Sequence, residues 1–232
     1  MTPPDETMDP WLTWSGRELV WSGDGREYLR GVGVKYLLHP AFNEGFEKLL
    51  KVYKPRKRYA LCLFIPCSYG KPYSQSFIHY FIQKAIAESG FFNEVHQVIL
   101  TNAGVVPREL EEYYPYVAYD WNPSYETPEV KKLYVEVLAW RLRRFIEAFR
   151  GFYTKFACFL RWDSDSFKAV GIAARSLGIE IPNLAPQSVP ESEVEEVSLR
   201  GIYSDPDLVL ITPTALRSLT EGIKRLLSSE GG

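Results

Sequence analysis

Seven apolar residues in a row, Tyr59-Ala60-Leu61-Cys62-Leu63-Phe64-Ile65, stand between two stretches of helical spacing. An unbroken run of this kind reads as a strand buried on both faces, the situation found in parallel sheets covered by helices. Before it, Phe42, Phe46, Leu49, Leu50 and Tyr53 recur at a period near 3.6, and Pro55 ends the helix they predict. After it, Phe77, Phe81, Ile82 and Ile86 carry a second helix over 75–89, which Gly90 stops.

The alternation continues. Val95 to Thr101 predicts a strand that ends in a tight turn at Asn102-Ala103-Gly104. A short helix over Arg108 to Tyr113, a short strand over Val117 to Tyr119 and a loop from Asp120 to Thr127 follow. Pro128 is a favoured first-turn residue, and it opens a long helix reaching Arg150. Phe156 to Arg161 reads as the third clear strand, and Ser166 to Leu177 as a helix closed by Gly178. A proline-bearing connection from Pro182 to Ser192 includes the start of an acidic cluster, Glu191, Glu193, Glu195 and Glu196, expected to be exposed. Leu208 to Ile211 predicts a last strand and Pro213 to Leu227 a terminal helix.

Strands and helices in this order predict an α/β fold, a three-layer α/β/α sandwich with a mainly parallel sheet. With 232 residues, one such domain over 41–232 is expected, its catalytic core covering roughly 41–180. Residues 1–40, with Trp11, Trp14, Trp21 and Tyr28, read as an N-terminal arm packed on that domain.

The stretch between the first buried strand and its helix concentrates reactive groups. Cys67, Ser68, Tyr69, Lys71, Tyr73, Ser74, Ser76 and His79 bring a thiol, an amine, phenols, hydroxyls and an imidazole to one strand-to-helix connection. In a parallel α/β sheet that connection lies at the carboxyl end of a strand, where such folds bind ligands. A plainer account is also available. Pro66 and Pro72 punctuate a turn, Gly70 lets it bend, and Ser74 or Ser76 caps the following helix.

The order of these residues is specific. Pro66-Cys67, Lys71-Pro72-Tyr73, Ser76 and His79, with their spacing, resemble the signature of the catalytic core of archaeal archaeosine synthases, relatives of tRNA-guanine transglycosylase. Gly104-Val105-Val106-Pro107-Arg108-Glu109-Leu110-Glu111, followed by Tyr114-Pro115 and Tyr119-Asp120, also resembles that family. The likeness extends over a third to a half of the chain. Longer members carry a transglycosylase-like region and a small RNA-binding module at the C-terminus, so this chain resembles a short form without that module.

The resemblance implies a cytoplasmic tRNA-modifying transferase of archaeosine biosynthesis. Its substrate would be tRNA carrying preQ0, a 7-cyano-7-deazaguanine, and its co-substrate free lysine. The amine would add to the nitrile and form an amidine, with no cofactor and no metal. A radical SAM lyase that splits the amidine, or a separate RNA-binding subunit, is an implied partner. The alternative is a non-catalytic tRNA-binding or assembly subunit of an archaeosine synthase complex.

Two chemical routes fit the signature. In one, Cys67 attacks the nitrile carbon and the amine displaces the resulting thioimide, provided Lys71, His79 or the helix start lowers the thiol pKa. His79 would then shuttle protons from about one turn inside a helix beginning near Ser74 or Gln75. In the other, the amine attacks directly, Tyr73 and Ser76 donate to the nitrile nitrogen, and Lys71 binds a phosphate or the donor's carboxylate. Ser68, Asn102, Arg108, Glu109 and Asp163 are the further candidates for substrate binding. Asp163 and Asp165 in Asp-Ser-Asp-Ser are equally a helix-capping sequence, and Trp162 or Tyr69 is a candidate to stack on the base. His39 and His96 read as structural.

Composition excludes some classes. No apolar run approaches the eighteen or so residues of a membrane span, and the acidic, proline-bearing start is unlike a signal peptide. Three cysteines, with Cys62 and Cys158 inside apolar runs, suggest reduced thiols. Paired Cys-x-x-Cys spacings and glycine-rich phosphate loops are missing. A formal charge of −2 does not announce a nucleic-acid binder. Cations do gather at Lys48, Lys51, Lys54, Arg56, Lys57 and Arg58, and again at Arg141, Arg143 and Arg144. An RNA surface would need the two groups to converge on one side of the domain.

Overall fold

A computed structural model describes residues 29–228. The tryptophans of the predicted arm and Tyr28 lie outside the described residues. What is described of that arm is β1 (Leu29–Arg30) and α1 (Val34–Leu37), and β1 pairs in parallel with β5 (Tyr119–Asp120).

The main sheet has four strands in the order β4-β3-β2-β6. β2 (Tyr59–Pro66) lies between β3 (Val95–Thr101) and β6 (Tyr153–Cys158), parallel to both, with Ile65 opposite Ile99 and Phe64 opposite Cys158. β4 (Gly104–Pro107) turns back antiparallel along the free edge of β3. Its hairpin is closed by Thr101, whose hydroxyl donates to the Gly104 carbonyl and accepts from the Gly104 amide at 3.1 and 3.0 Å. Gly104 has φ +138°, a conformation that suits glycine.

Helices cover the sheet as the alternation predicts. From β2 the chain moves to one side through α3 (Phe77–Glu88) into β3. From β3 it crosses back over β2 through α4 (Pro128–Phe149) into β6. Right-handed crossovers in opposite directions put α3 and α4 on opposite faces. Their packing agrees. α3 contacts α7 (Pro213–Ser228) and a 3₁₀ turn at Pro206–Ile211, whereas α4 contacts α5 (Asp165–Leu177) and α2 (Pro40–Val52). The result is the three-layer α/β arrangement.

Local signals account for most boundaries. Ser76, Thr127 and Ser164 cap α3, α4 and α5 by accepting the amides of His79, Val130 and Phe167. Gly178, with φ +63°, ends α5 in a left-handed cap. Leu61 to Ile65 are wholly buried and face Ile82, Ile86, Val98, Ile99, Leu142 and Phe145 across one core. Each such side chain contributes about 1.5–3 kcal/mol of transfer free energy.

Several elements differ from those predicted: Arg108 to Tyr113 hold only a 3₁₀ turn at Arg108–Leu110, and the short strand is Tyr119–Asp120 instead of Val117 to Tyr119. The third parallel strand begins at Tyr153 instead of Phe156, and Phe159 to Arg161 run beyond it as an extended segment. That segment is held by a Phe159 N–H to Phe64 carbonyl bond of 2.8 Å. Leu208 to Ile211 form no strand but the end of the 3₁₀ turn, which Asp205 caps and Pro206 starts. The acidic cluster forms α6 (Glu191–Val197), and Glu193 is not merely solvated: it accepts from the Thr214 amide and hydroxyl, both at 2.8 Å.

Candidate active site

A cleft of about 570 Å³ opens at the carboxyl ends of β2 and β6. From β2 the chain leaves towards one face and from β6 towards the other. The cleft therefore sits at the switch point of the sheet, where doubly wound folds bind ligands. Four segments build it. Pro66 to Tyr69 and Lys71 come from the signature loop, Leu160, Arg161 and Ser164 to Ser166 from the segment after β6, Tyr119, Trp121 to Ser124 and Glu126 from β5 and the following loop, and Ser204 to Asp207 from the capped turn. Asn102 and Tyr134 complete the lining.

Cys67 and Lys71 both face this space. The Lys71 ammonium lies 4.2 Å from the Tyr119 ring centroid and is 7% exposed. Burial lowers its pKa, while Cys67 and Asp120 oppose the shift. Burial pushes the Cys67 thiol up to about 12; Asp207 and Asp205 add to that and Lys71 only partly offsets it. The direction is opposite to the lowering expected from Lys71, His79 or the helix start. Desolvation and nearby carboxylates outweigh one ammonium.

His79 is placed differently from the proton shuttle read from the signature. It is fully buried on α3 and does not line the cleft. Arg108 Nη2 donates to its Nδ1 at 2.8 Å, which leaves Nε2–H to donate to the Pro66 carbonyl at 2.9 Å. Burial, and then the Arg108 charge, hold its pKa well below the usual histidine range. Its ring is committed to the residue just before Cys67.

The other predicted residues divide between cleft and scaffold. Ser68 and Asn102 line the cleft. Tyr73 is buried, with its hydroxyl 2.8 Å from that of Tyr119, and Ser76 serves as the α3 cap. Neither lines the cleft, so donation to a nitrile nitrogen finds no support in their placement. Arg108 and Glu109 are not beside Asn102, because β4 carries them back towards the middle of the sheet. Arg108 also bonds Gln97 at 2.7 Å and Glu111 at 3.1 Å, and Glu111 accepts from the Ser74 amide at 3.0 Å. Glu111, Arg108 and His79 therefore tie Ser74 and Pro66, the two ends of the signature loop.

Glu109 belongs to a second buried network. It accepts from Tyr53 at 2.6 Å and from His96 at 3.0 Å, and Tyr153 meets the other ring nitrogen of His96 at 2.7 Å. Burial opposes its ionisation, but the bonds from His96 and Tyr53 prevail and hold its carboxyl at about 2. Asp163 is largely exposed, accepts from Arg161 at 2.6 Å and does not line the cleft. Ser164, between Asp163 and Asp165, supplies the helix cap. Trp162 donates to the Ala185 carbonyl and packs on Phe167, away from the cleft, whereas Tyr69 lines it.

Sequence reasoning missed Asp207, Arg161 and the aromatic walls other than Tyr69. Arg161 Nε donates to Asp207 at 2.7 Å and Trp121 donates to Glu126 at 2.6 Å. Tyr134 and Ser166 meet at 2.7 Å. The segment over 120–127 reads as a polar loop, and Asp205-Pro206 is a capping signal that speaks against a strand over 206–211. Among the described residues no group of His, Cys, Asp and Glu is placed to hold a metal ion, and no helix is long and apolar enough to cross a membrane.

Residues 44–156 match DUF5591, a domain of unknown function. A stretch of 62 residues is 47% identical to the archaeosine synthase subunit alpha of Thermoplasma acidophilum, covering 26% of this chain and 12% of that protein. Against the subunit of the same name from Thermococcus kodakarensis, identity is 40% over 75 residues, 31% of this chain and 13% of the relative. The archaeosine synthase of Haloferax volcanii is 36% identical over 102 residues, 44% of this chain and 16% of its own length. The matches thus span 12% to 16% of these three relatives. A solved structure, AF0587, a protein of unknown function, superposes with a TM-score of 0.49 at 22% identity, over 80% of this chain and 50% of that one. Through its DUF5591 segment the chain is related to the archaeosine synthases.

Proposed function

We propose that this domain modifies tRNA in archaeosine biosynthesis, adding an amine to the nitrile of a 7-cyano-7-deazaguanine base held in the cleft. The observation that carries this reading is that Cys67 and Lys71 share one cleft, walled by Tyr69, Tyr119, Trp121 and Tyr134. Aromatic walls suit a flat heterocycle, because every base offers a π-face. Cys67 is the nucleophile that forms a thioimide, and Lys71 supplies a proton to the nitrile nitrogen. Its burial-lowered pKa makes the ammonium a better acid than a solvated lysine.

His79, Arg108 and Glu111 act by positioning. They hold the carbonyl before Cys67 and the amide of Ser74, so that the thiol and the ammonium keep their relation while a substrate enters. The amine donor is lysine, received at the open side of the same cleft, and the amidine product passes to a lyase.

The test uses tRNA bearing the cyano base, with lysine, ammonia or glutamine offered in parallel, and reads the mass of the digested nucleoside. A gain equal to one lysine is expected with wild type and none with Cys67→Ala. Turnover of Cys67→Ala near the wild-type rate removes the thioimide, and no gain with any donor removes amine addition altogether.

A further inference from the structure

The amine-addition reading leaves one requirement open: a protonated thiol must lose its proton, and His79 is not available to take it. The missing group lines the same cleft. Asp207 enters from the 3₁₀ turn at Pro206–Ile211, beyond the DUF5591 match at 44–156 and beyond the signature. Asp207 lines the same space as Cys67, and Arg161 Nε fixes its Oδ1 at 2.7 Å. Arg161 is itself placed by the extended segment after β6, where Asn183 bonds both backbone groups of Leu160 at 3.1 and 2.8 Å.

We infer that Asp207, oriented by Arg161, is the general base that takes the Cys67 proton as the thiol attacks. The electrostatics agree with the geometry. Asp207 is the foremost charge acting on the thiol, and its own carboxyl is raised by burial, with Asp205 and Asp163 adding to that against the Arg161 contacts. Lys71, Asp205, Tyr73 and Tyr134 are the other groups coupled to Cys67. Both tyrosines stay protonated because burial drives their pKa values up. Asp207 is thus better placed than Asp205, which caps its own turn by accepting the Asp207 amide at 2.9 Å.

The proton count closes. As sulfur bonds to the nitrile carbon, one C–N π bond breaks, the thiol proton moves to Asp207 and the nitrogen takes a proton from Lys71. The incoming neutral amine then forms its C–N bond and the C–S bond breaks. Sulfur leaves as thiolate and recovers the proton held by Asp207, while the surplus amine proton returns to Lys71. No oxidant or reductant enters.

Two readouts with opposite signs test this, and a merely structural role would not produce both. In Asp207→Asn, loss of the carboxylate charge lowers the thiol pKa, so alkylation of Cys67 by iodoacetamide at pH 8, followed by peptide mass, speeds up severalfold. Turnover on the cyano-base tRNA with lysine falls at least about 100-fold, the scale of a lost general base. Alkylation at the wild-type rate, or turnover within a few-fold of wild type, overturns the assignment. If Asp207→Asn does not fold, as judged by circular dichroism, Asp207→Glu takes its place. It keeps the thiol as slow to alkylate as in wild type and retains more than a tenth of turnover; fast alkylation or complete loss refutes the base. Should wild type itself add no amine, the substrate reading fails. The alkylation comparison still decides the carboxylate–thiol pairing: a rise in Asp207→Asn supports it and no change refutes it.

Discussion

His79 shows how one buried ring is spent on holding a loop. Arg108 donates to one nitrogen and the Pro66 carbonyl accepts from the other, so the imidazole is neutral in the folded protein, and its pKa lies below that of the unfolded chain. Between those two pKa values the unfolded state binds the extra proton. Stability therefore rises with pH across that window, and it is lost as pH falls through the ordinary histidine range. Urea unfolding at pH 7 and at pH 5 should show this loss, by up to about 1.4 kcal/mol per pH unit for the one proton. His79→Gln should be less stable at pH 7 and flatter across the same interval. An unchanged slope in the variant would assign the pH dependence to another group. Among the candidates read from the sequence, Cys67, Lys71, Ser68 and Asn102 line the cleft. Sequence alone does not separate them from Tyr73, Ser76, His79, Arg108 and Glu109, which bond within the protein. A buried polar side chain must find a partner, and sequence does not say whether that partner is a ligand or a carbonyl of the same chain.

At the scale of elements, the edge beyond β6 does more than its sequence suggests. Pro182 to Leu184, read as part of a connection, pair with Cys158 like a short fifth strand: Cys158 N–H donates to Pro182 and Leu184 N–H to Cys158, at 2.9 and 2.7 Å. Asn183 then clamps Leu160, which is 1% exposed, through both its amide oxygen and its amide nitrogen. Asn183→Ala leaves a buried N–H and a buried C=O without these partners, a loss of about 2–3 kcal/mol in urea unfolding. Because Arg161 follows directly, turnover should fall more than stability alone explains; an Asn183→Ala protein, folded and fully active, would show that the clamp does not serve the cleft. Elements of this kind are faintly written. The true start of β6, Tyr153-Thr154-Lys155, puts two polar residues in a row and lacks the continuous run that marks β2. Leu208-Val209-Leu210-Ile211 is too short an apolar run to tell strand from 3₁₀ turn, and the cap at Asp205-Pro206 decides for the turn. The long runs and capped helices were legible because burial on both faces and a full helical period leave few alternatives.

Over the whole molecule, charge and cleft lie at opposite ends. Lys48, Lys51, Lys54, Arg56, Lys57 and Arg58 are exposed at the end of α2 and the approach to β2, the amino end of the sheet. The second basic group does not join them as one surface, since Arg141 is buried against Asn43 and Arg144 pairs with Glu47. Around the cleft Glu126, Asp165, Asp205 and Asp207 outnumber Lys71 and Arg161, so its rim repels phosphate more than it attracts it. If the proposed function holds, an RNA substrate is captured away from its reacting base, and the eight residues of β2 set that separation at about 26 Å. Replacing Lys54, Arg56 and Lys57 together by alanine should weaken tRNA binding roughly tenfold at low salt. Each phosphate contact removed takes about 0.7–0.9 from the slope of log affinity against log salt, so the slope should flatten by about 2 if most of these cations are used. Cys67 alkylation should stay at the wild-type rate, because these residues do not line the cleft. If the slope does not change, phosphate is held elsewhere, on a second subunit or on residues outside 29–228, and the basic end of the sheet is a solvated face.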